Sequence, residues 1–167
     1  MQAAGLTVWR SAANEQMDEV IALLVAENLA GLRVAVQLYG MPAPDLMQAL
    51  TSGGAEVVEI AVYQWRTPDD PRPAIELAGA AIDGRLHAVT FTAAPAATNL
   101  LAIAATEGLD RELLTAFNDR GVVAACVGPV CALGATEAGI RGPLVPAVGR
   151  LGLLVRALCD RLGGPPA

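Results

Sequence analysis

The sequence of 167 residues is poor in the side chains that most enzymes use for acid–base and metal chemistry. It contains no lysine, a single histidine and only 4% aromatic residues, and charged residues make up 17% of the chain. Its eleven cationic side chains are arginines scattered singly between Arg10 and Arg161, while the net charge is −6. Because neutralising a phosphate backbone needs clustered positive charge, we do not expect this segment to bind nucleic acid.

The histidine and the cysteines do not form a recognisable metal site or catalytic triad. His87 lies where a strand is predicted to begin, which is the end of a parallel sheet that faces away from the usual site. Cys126, Cys131 and Cys159 form no CxxC pair, and the chain has no second histidine to join them. We therefore expect buried, reduced thiols and no metal.

Several other familiar signals are missing. No run reaches the roughly 18 consecutive apolar residues of a membrane helix, and the first residues lack the basic and apolar regions of a signal peptide.

The sequence also lacks the usual nucleotide-binding motifs. Gly134 and Gly139 have P-loop spacing, but Ile140-Arg141 follows in place of Lys-Ser/Thr, and no G-x-G-x-x-G follows a strand. Asp69-Asp70 and Glu107 are typical of solvated carboxylates. The expectation is a cytoplasmic protein without a membrane segment.

The residues that are abundant suit an α/β fold with a buried parallel sheet. The chain is 54% hydrophobic, mostly alanine, valine and leucine, and small side chains allow helices to pack closely on a sheet. The first part of the pattern predicts a helix capped by Asn14 and ended by Gly31, then a βαβ unit with strands at 32–38 and 56–62 around a helix at 45–51. The apolar face of the first helix consists of Met17, Val20, Ile21 and Leu24.

A connector with two prolines, at 63–72, separates this unit from a second alternating region. The predicted elements there are a helix at 74–82, a strand at 87–92, helices at 96–106 and 111–118, a strand at 122–127, a helix at 131–137, a short strand at 143–146 and a final helix. The final helix carries one apolar stripe of Leu151, Leu154, Val155, Leu158 and Leu162.

Strands that alternate with helices predict parallel pairing, and ligands of such sheets bind beyond the carboxyl ends of the strands. Three strand exits are therefore candidate binding segments: Tyr39-Gly40, Thr92-Ala93-Ala94 and Gly128-Pro129. Each precedes a predicted helix, whose free N–H groups and dipole favour an anion.

The order of these segments resembles the uroporphyrinogen-III synthase family from about Gly5 to Leu162. The similar stretches are VWRSAANEQMDEVIALL, GLRVAVQLYG with GAEVVEIAVYQW, LHAVTFTAAPAATNLL, VVAACVGPVCALGATEAGI and the closing helix. The match begins in the middle of the family, so the family's N-terminal segment is expected to be missing. Two departures are that Thr92-Ala93 replaces the common Thr-Ser and that Cys131 replaces a common threonine.

The resemblance implies a fold of two flavodoxin-like lobes with parallel sheets and flanking helices, one lobe being incomplete, with the site in the cleft between them. Residues 1–62 would be part of the first lobe, 63–72 the connector, 73–163 the second lobe, and 164–167 a tail or linker. A half-lobe exposes sheet faces and edges, and a homodimer could cover them.

The resemblance also implies a reaction. The family's substrate is hydroxymethylbilane, a linear tetrapyrrole with eight carboxylates, which loses its terminal hydroxyl, forms a spiro intermediate, inverts ring D and closes to uroporphyrinogen III without a cofactor. Tyr63 matches the family's candidate for assisting hydroxyl loss, and Tyr39 has weaker support. Substrate carboxylates would be bound at the strand exits, through Gly40, Thr92, Ala93, Ala94, Gly128, Pro129, Val130 and Cys131, with the main-chain amides of Ala94 and Val130 remaining where hydroxyls are lost.

Two alternatives stay open at this point. A non-catalytic, synthase-like ligand-sensing module could belong to a larger regulator with a DNA-binding domain, because such fusions occur in the family and the GGPPA end suits a linker. An unrelated α/β domain that binds a small molecule is the other.

Overall fold

The computed structural model describes residues 5, 7–13, 16–40 and 42–163. The chain divides into two compact units, Met1–Arg66 and Thr67–Ala167. The predicted cap Asn14 and the predicted tail at 164–167 lie outside the described residues. Within the described part, no helix is long and apolar enough to cross a membrane.

The first unit contains the predicted βαβ motif. Its elements are α1 (Met17–Val25), β1 (Arg33–Leu38), α2 (Pro44–Ser52) and β2 (Glu56–Ala61). The strands pair in parallel from Arg33 opposite Glu56 to Leu38 opposite Ala61, which confirms the predicted pairing. A parallel pair needs a crossover, and α2 supplies it.

One face of this two-stranded sheet is covered by helices and the other is open. Leu46 and Leu50 of α2 are buried with Leu29 and Ala55, because apolar residues four apart lie on one helix face. The side chains of Val58 and Ile60 on β2 remain 40% and 44% exposed. The open face of the sheet therefore mixes the exposed apolar residues Val58 and Ile60 with polar residues such as Arg33 and Glu56.

Helix α1 is shorter than predicted. It ends at Val25 with Ala26 as its cap and does not continue to Gly31. Leu29, four residues beyond the end of the helix, lies in the core and is 6% exposed. The predicted apolar face is only half-buried: Ile21 and Leu24 pack on the core, whereas Met17 is 41% exposed.

The second unit alternates helices and strands as predicted. Its elements are α3 (Arg72–Ile82), β3 (Ala88–Phe91), α4 (Ala96–Thr106), α5 (Asp110–Asn118), β4 (Val123–Cys126), α6 (Pro129–Glu137) and α7 (Leu151–Arg161). Strands β3 and β4 pair in parallel, from Ala88 opposite Val123 to Phe91 opposite Cys126. The buried core beside them contains Phe91, Leu100, Leu113, Phe117 and Ile140.

The short strand predicted at 143–146 is only an isolated bridge. Leu144 donates its N–H to the carbonyl of Ala124, and its own carbonyl accepts from Cys126, both at 2.8 Å. Pro143 and Pro146 on either side have no N–H, so the pairing cannot extend through them. Leu144 still pairs in parallel with β4. The passage from Leu144 to α7 is therefore a third strand-to-helix connection, after β3 to α4 and β4 to α6.

The predicted final helix is confirmed as α7, but its apolar stripe is only partly buried. Leu154 is fully buried and Leu158 half-buried, but Leu151 and Val155 are 58% and 51% exposed. Leu162 follows the helix and is also exposed. Helix α7 therefore contacts the unit through Leu154 and Leu158, with Leu153 and Ala157 half-buried beside them.

Candidate active site

The carboxyl ends of β1 and β2 bring three aromatic residues of the first unit together. Tyr39 and Gly40 follow β1, and Tyr63 and Trp65 follow β2. Because the two strands are parallel and neighbouring, their carboxyl ends lie at the same edge. We call these four residues the aromatic edge.

The aromatic edge is held by one hydrogen bond and one ring contact. The indole Nε1–H of Trp65 donates to the carbonyl oxygen of Tyr39 at 3.0 Å. The rings of Tyr63 and Trp65 have centroids 6.1 Å apart and planes at 82°, which is the edge-to-face geometry that aromatic pairs favour. Tyr63 is nevertheless 48% exposed, so its ring is supported on one side and open on the other.

Gly40 is required by this arrangement for two reasons. Its φ is +85°, a left-handed conformation that L side chains rarely adopt. A Cβ at this position would lie 2.7 Å from Cδ1 of Trp65 and 3.0 Å from Cε2 of Tyr63. The strand exit therefore approaches both rings as closely as a glycine allows.

In the second unit, the predicted exits lead directly into helices. Thr92, Ala93 and Ala94 lie between β3 and α4, and Gly128 is the residue before α6. Pro129, Val130 and Cys131 form the first turn of α6. The structure therefore brings these residues to one edge of the sheet, as predicted from the parallel pairing.

A third helix begins beside them. Gly149 packs against Gly128, since a Cβ on Gly128 would lie 3.5 Å from the Cα of Gly149. Arg150 is the exposed cap residue of α7. We call the starts of α4, α6 and α7 the helix-start edge.

The helix-start edge is built to receive an anion. None of its three helices has a side-chain cap or an acidic residue in its first turn. Ala96 donates its N–H to the Ala93 carbonyl and Pro129 has none, so the donors at this edge are the remaining first-turn N–H groups, and the helix dipoles add partial positive charge. In contrast, α2 after the Tyr39-Gly40 exit carries Asp45 in its first turn, so this exit is less suited to a carboxylate.

Cys131 does not present its side chain to that edge. Its thiol donates to the carbonyl oxygens of Phe91 at 3.3 Å and Ala93 at 3.4 Å, and the residue is only 4% exposed. The expected contact of this residue with a carboxylate is therefore restricted to its main-chain N–H.

The other two cysteines differ in their surroundings. Burial, and then the neighbouring Cys131 thiol, raise the pKa of Cys126 to about 12. Cys159, by contrast, is exposed, so the expectation that all three thiols are buried is wrong for this one.

Gly134 completes the contact between α6 and the turn after β3. A Cβ on Gly134 would collide with the carbonyl oxygen of Ala94. A glycine one turn after Cys131 is therefore what lets the two helix starts approach each other.

Two residues of these edges were not singled out from the sequence. Trp65 belongs to the quoted stretch GAEVVEIAVYQW, and its position two residues after Tyr63 was the available signal. Arg150 lies between the short strand predicted at 143–146 and the last helix. Because ligands of parallel sheets bind beyond the carboxyl ends of the strands, this position could have been added to the three predicted strand exits.

Two other kinds of site come into question in the described residues: a metal site and a cavity at the far end of the second sheet. The described residues contain no group of three or more His, Cys, Asp or Glu that could hold a metal ion. A cavity of about 480 Å³ lies at the amino end of β4 and is lined by Val122, Asn118 and Arg161, among others. Arg141 in its wall is paired with Asp119 at 2.7 Å. This cavity is at the opposite end of the sheet from the helix-start edge, where βα folds do not usually bind ligands.

Comparison with known proteins identifies the family of the chain. A family model described as "Uroporphyrinogen-III synthase HemD" matches residues 1–155. The chain is similar to an uncharacterized protein of Bacillus subtilis (strain 168), YjjA, with 33% identity over 136 residues, which is 81% of this chain and 50% of that protein.

Solved structures of uroporphyrinogen III synthase from the extremely thermophilic bacterium Thermus thermophilus are also similar. A mutant form superposes with a TM-score of 0.67 at 27% identity, covering 97% of this chain and 60% of that one. The wild type gives a TM-score of 0.52 at 31% identity, covering 96% and 61%. The chain thus spans about half the length of the curated relatives it matches, between 45% and 50%.

Proposed function

Because this chain belongs to the uroporphyrinogen-III synthase family, we propose that it binds hydroxymethylbilane and takes part in its cyclisation to uroporphyrinogen III with inversion of ring D. The observation that carries the proposal is the family match over residues 1–155, combined with two strand-end edges of different chemistry. The activity would be that of a carbon–oxygen lyase of the cytoplasm that needs neither metal nor cofactor.

The helix-start edge suits the carboxylates of the substrate. Main-chain N–H groups at Ala94 and Val130 replace the missing hydroxyls as donors, and Arg150 supplies the nearby positive charge. Helix N-termini bind carboxylates in this way without a basic patch. This accounts for how an acidic chain with scattered arginines can accept an anionic substrate.

The aromatic edge suits the reacting end of the substrate. The terminal hydroxyl leaves as water when it takes up a proton from solvent and the electron pair of the C–O bond. The pyrrole nitrogen supplies the electrons that form the azafulvene and releases its N–H proton to solvent, so the overall loss is one molecule of water. The phenol of Tyr63 donates a hydrogen bond to the departing oxygen. After this step the protein mainly holds the chain so that the correct ring carbon is attacked, which is an effect of orientation.

Isomer analysis tests the proposal. The complete gene product is incubated with hydroxymethylbilane, and the two uroporphyrinogen isomers are separated after oxidation. We expect type III to predominate, whereas type I alone, which forms without enzyme, would contradict the proposal. Tyr63→Phe should lower kcat about 10-fold or more if the phenol assists the reaction, and unchanged turnover would remove that role. Tyr39→Phe tests the second tyrosine in the same assay.

A non-catalytic ligand-sensing module remains the second candidate. It is favoured by the side chains at the departures from the family: Ala93 has no hydroxyl, and the Cys131 thiol is engaged with main-chain carbonyls. Such a module would bind a linear tetrapyrrole without changing the isomer ratio. A DNA-binding domain encoded in the same gene would support it.

Association of two chains is a further part of the proposal. The open sheet face of the first unit exposes Val58 and Ile60, and a homodimer would remove such apolar surface from water. Light scattering coupled to size exclusion tests it, and a monomer at all concentrations would argue against it.

A further inference from the structure

We propose that Trp65 is a positioning residue that fixes the ring of Tyr63 for the reaction. The proposal rests on the proposed function of Tyr63, and it adds a residue for which no role was expected from the sequence. It is carried by the geometry of the aromatic edge.

Trp65 connects the two strand exits of the first unit. Its Nε1–H is anchored on the Tyr39 carbonyl at 3.0 Å, across 26 positions of sequence. The ring of Trp65 also makes an edge-to-face contact with the ring of Tyr63, and the two ring centroids are 6.1 Å apart. The indole therefore couples the orientation of Tyr63 to a main-chain atom after β1.

Tyr63 gains from such support because its ring is only half-buried. Its side chain is 48% exposed, and a free, exposed side chain samples several rotamers. Holding it in one of them costs conformational entropy, and the ring contact with Trp65 offsets part of that cost. The phenol is thereby preorganised on its open side.

The glycine at position 40 is consistent with the same role. The space that a Cβ would occupy there is taken by Trp65 and Tyr63. Gly40→Ala should therefore displace the indole as well as strain the backbone, and should reduce activity in the same manner as a change of Trp65.

The test replaces Trp65 with Phe, which loses the N–H donor, and with Leu, which also loses the ring. We expect kcat to fall about 3-fold in Trp65→Phe and about 10-fold or more in Trp65→Leu, with a smaller change in KM, because misorientation affects the reacting geometry more than binding. Trp9→Phe is the matched control, since Trp9 is 65% exposed and lies outside the aromatic edge.

A double-mutant cycle separates positioning from general structural support. If Trp65 acts through the phenol of Tyr63, Trp65→Leu should have little further effect on kcat in a Tyr63→Phe background. An equal loss of kcat in both backgrounds would overturn the proposal, as would unchanged kcat in both Trp65 variants. Should the leucine variant fail to fold, Trp65→Phe carries the same cycle.

A spectroscopic readout keeps this inference distinct from the proposed function. The chain has two tryptophans, so Trp9→Phe leaves one indole N–H signal in a ¹H–¹⁵N NMR spectrum, that of Trp65. Tyr63→Leu should shift this signal by removing a neighbouring ring, and no shift would overturn the contact. If the wild type yields only type I isomer, the proposed function fails while this measurement still decides whether Trp65 supports Tyr63.

Discussion

The thiol of Cys131 lies 3.3 Å from the carbonyl oxygen of Phe91 and donates a hydrogen bond to it. Phe91 is the last residue of β3, and Cys131 is in the first turn of α6. The same thiol also bonds the carbonyl of Ala93 in the turn that leads to α4. One side chain therefore joins the starts of two helices that we propose to bind carboxylates.

Replacing Cys131 with alanine should destabilise the protein. The carbonyls of Phe91 and Ala93 keep their main-chain donors, Val127 and Ala96, so the cost comes from the void and from the lost thiol contacts. We expect the free energy of unfolding to fall by about 1–2 kcal/mol. Cys159→Ala is the control, because that thiol is exposed and its loss should have little effect. Urea unfolding must be followed by far-UV circular dichroism, since both tryptophans and both tyrosines lie before position 67. Equal stability of the two variants would contradict the role of the thiol.

Replacing Gly134 with alanine should also destabilise the protein, for a steric reason. The new methyl group would overlap the carbonyl oxygen of Ala94, and main-chain atoms cannot move aside as a flexible side chain can. We expect a loss of about 1–3 kcal/mol and, in the same variant, weaker substrate binding because the turn after β3 must shift.

A matched glycine provides the control for this substitution. Gly79 lies within α3 and has no atom within 4 Å of the position of a Cβ. Gly79→Ala should therefore stabilise the protein by about 0.5–1 kcal/mol through helix propensity alone. If both alanine variants changed stability in the same direction, close packing at Gly134 would not be the cause.

The helices and the parallel pairing could be predicted because their signals are local and periodic. Leu46 and Leu50 repeat at helical spacing, and both are buried. Gly31 could not be recognised as a poor end for α1, because the burial of Leu29 depends on contacts made elsewhere in the unit. The exposure of Leu151 and Val155 could not be predicted either, since an apolar stripe shows which face prefers burial and not what is available to cover it.

The site could be predicted in its main chain and less well in its side chains. Strand exits follow from topology, and Thr92–Ala94 and Gly128 lie at one edge as expected. The inward direction of the Cys131 thiol depends on the precise approach of α6 to β3, which no spacing rule encodes. The Trp65 contact joins residues 26 positions apart, so only the folded chain brings them together.

Arg150 is expected to contribute to substrate affinity. It is an exposed cation at the start of α7, where it adds to the positive potential of the helix-start edge. Arg150→Gln should raise KM for hydroxymethylbilane about 3- to 10-fold with a smaller change in kcat, and the difference should shrink as salt is added. Arg156→Gln, on the same helix and also exposed, is the control. An equal rise in KM in both variants would indicate a general effect of charge.

The stability of the protein should fall in alkaline solution because of Cys126. Its pKa is raised from 9.0 to about 12, first by burial and then by the Cys131 thiol. Above pH 9 the unfolded chain therefore loses a proton that the folded chain retains until about pH 12. The unfolded state binds fewer protons in this window, so the free energy of unfolding decreases as pH rises, by at most about 1.4 kcal/mol per pH unit.

Cys126→Ala tests this contribution, which includes the effect of the neighbouring Cys131; residues 67–167 contain no lysine or tyrosine to add to it. Urea unfolding of this variant is followed by circular dichroism from pH 8 to pH 11. The free energy of unfolding should depend less steeply on pH than in the wild type, although it should be lower at pH 8 because the packing of the thiol side chain is lost. Cys159→Ala is the control for the loss of a thiol at the surface, and its slope is compared with that of the wild type. A wild-type slope in Cys126→Ala would show that the loss of alkaline stability arises elsewhere, since only the group whose proton is retained on folding can produce it.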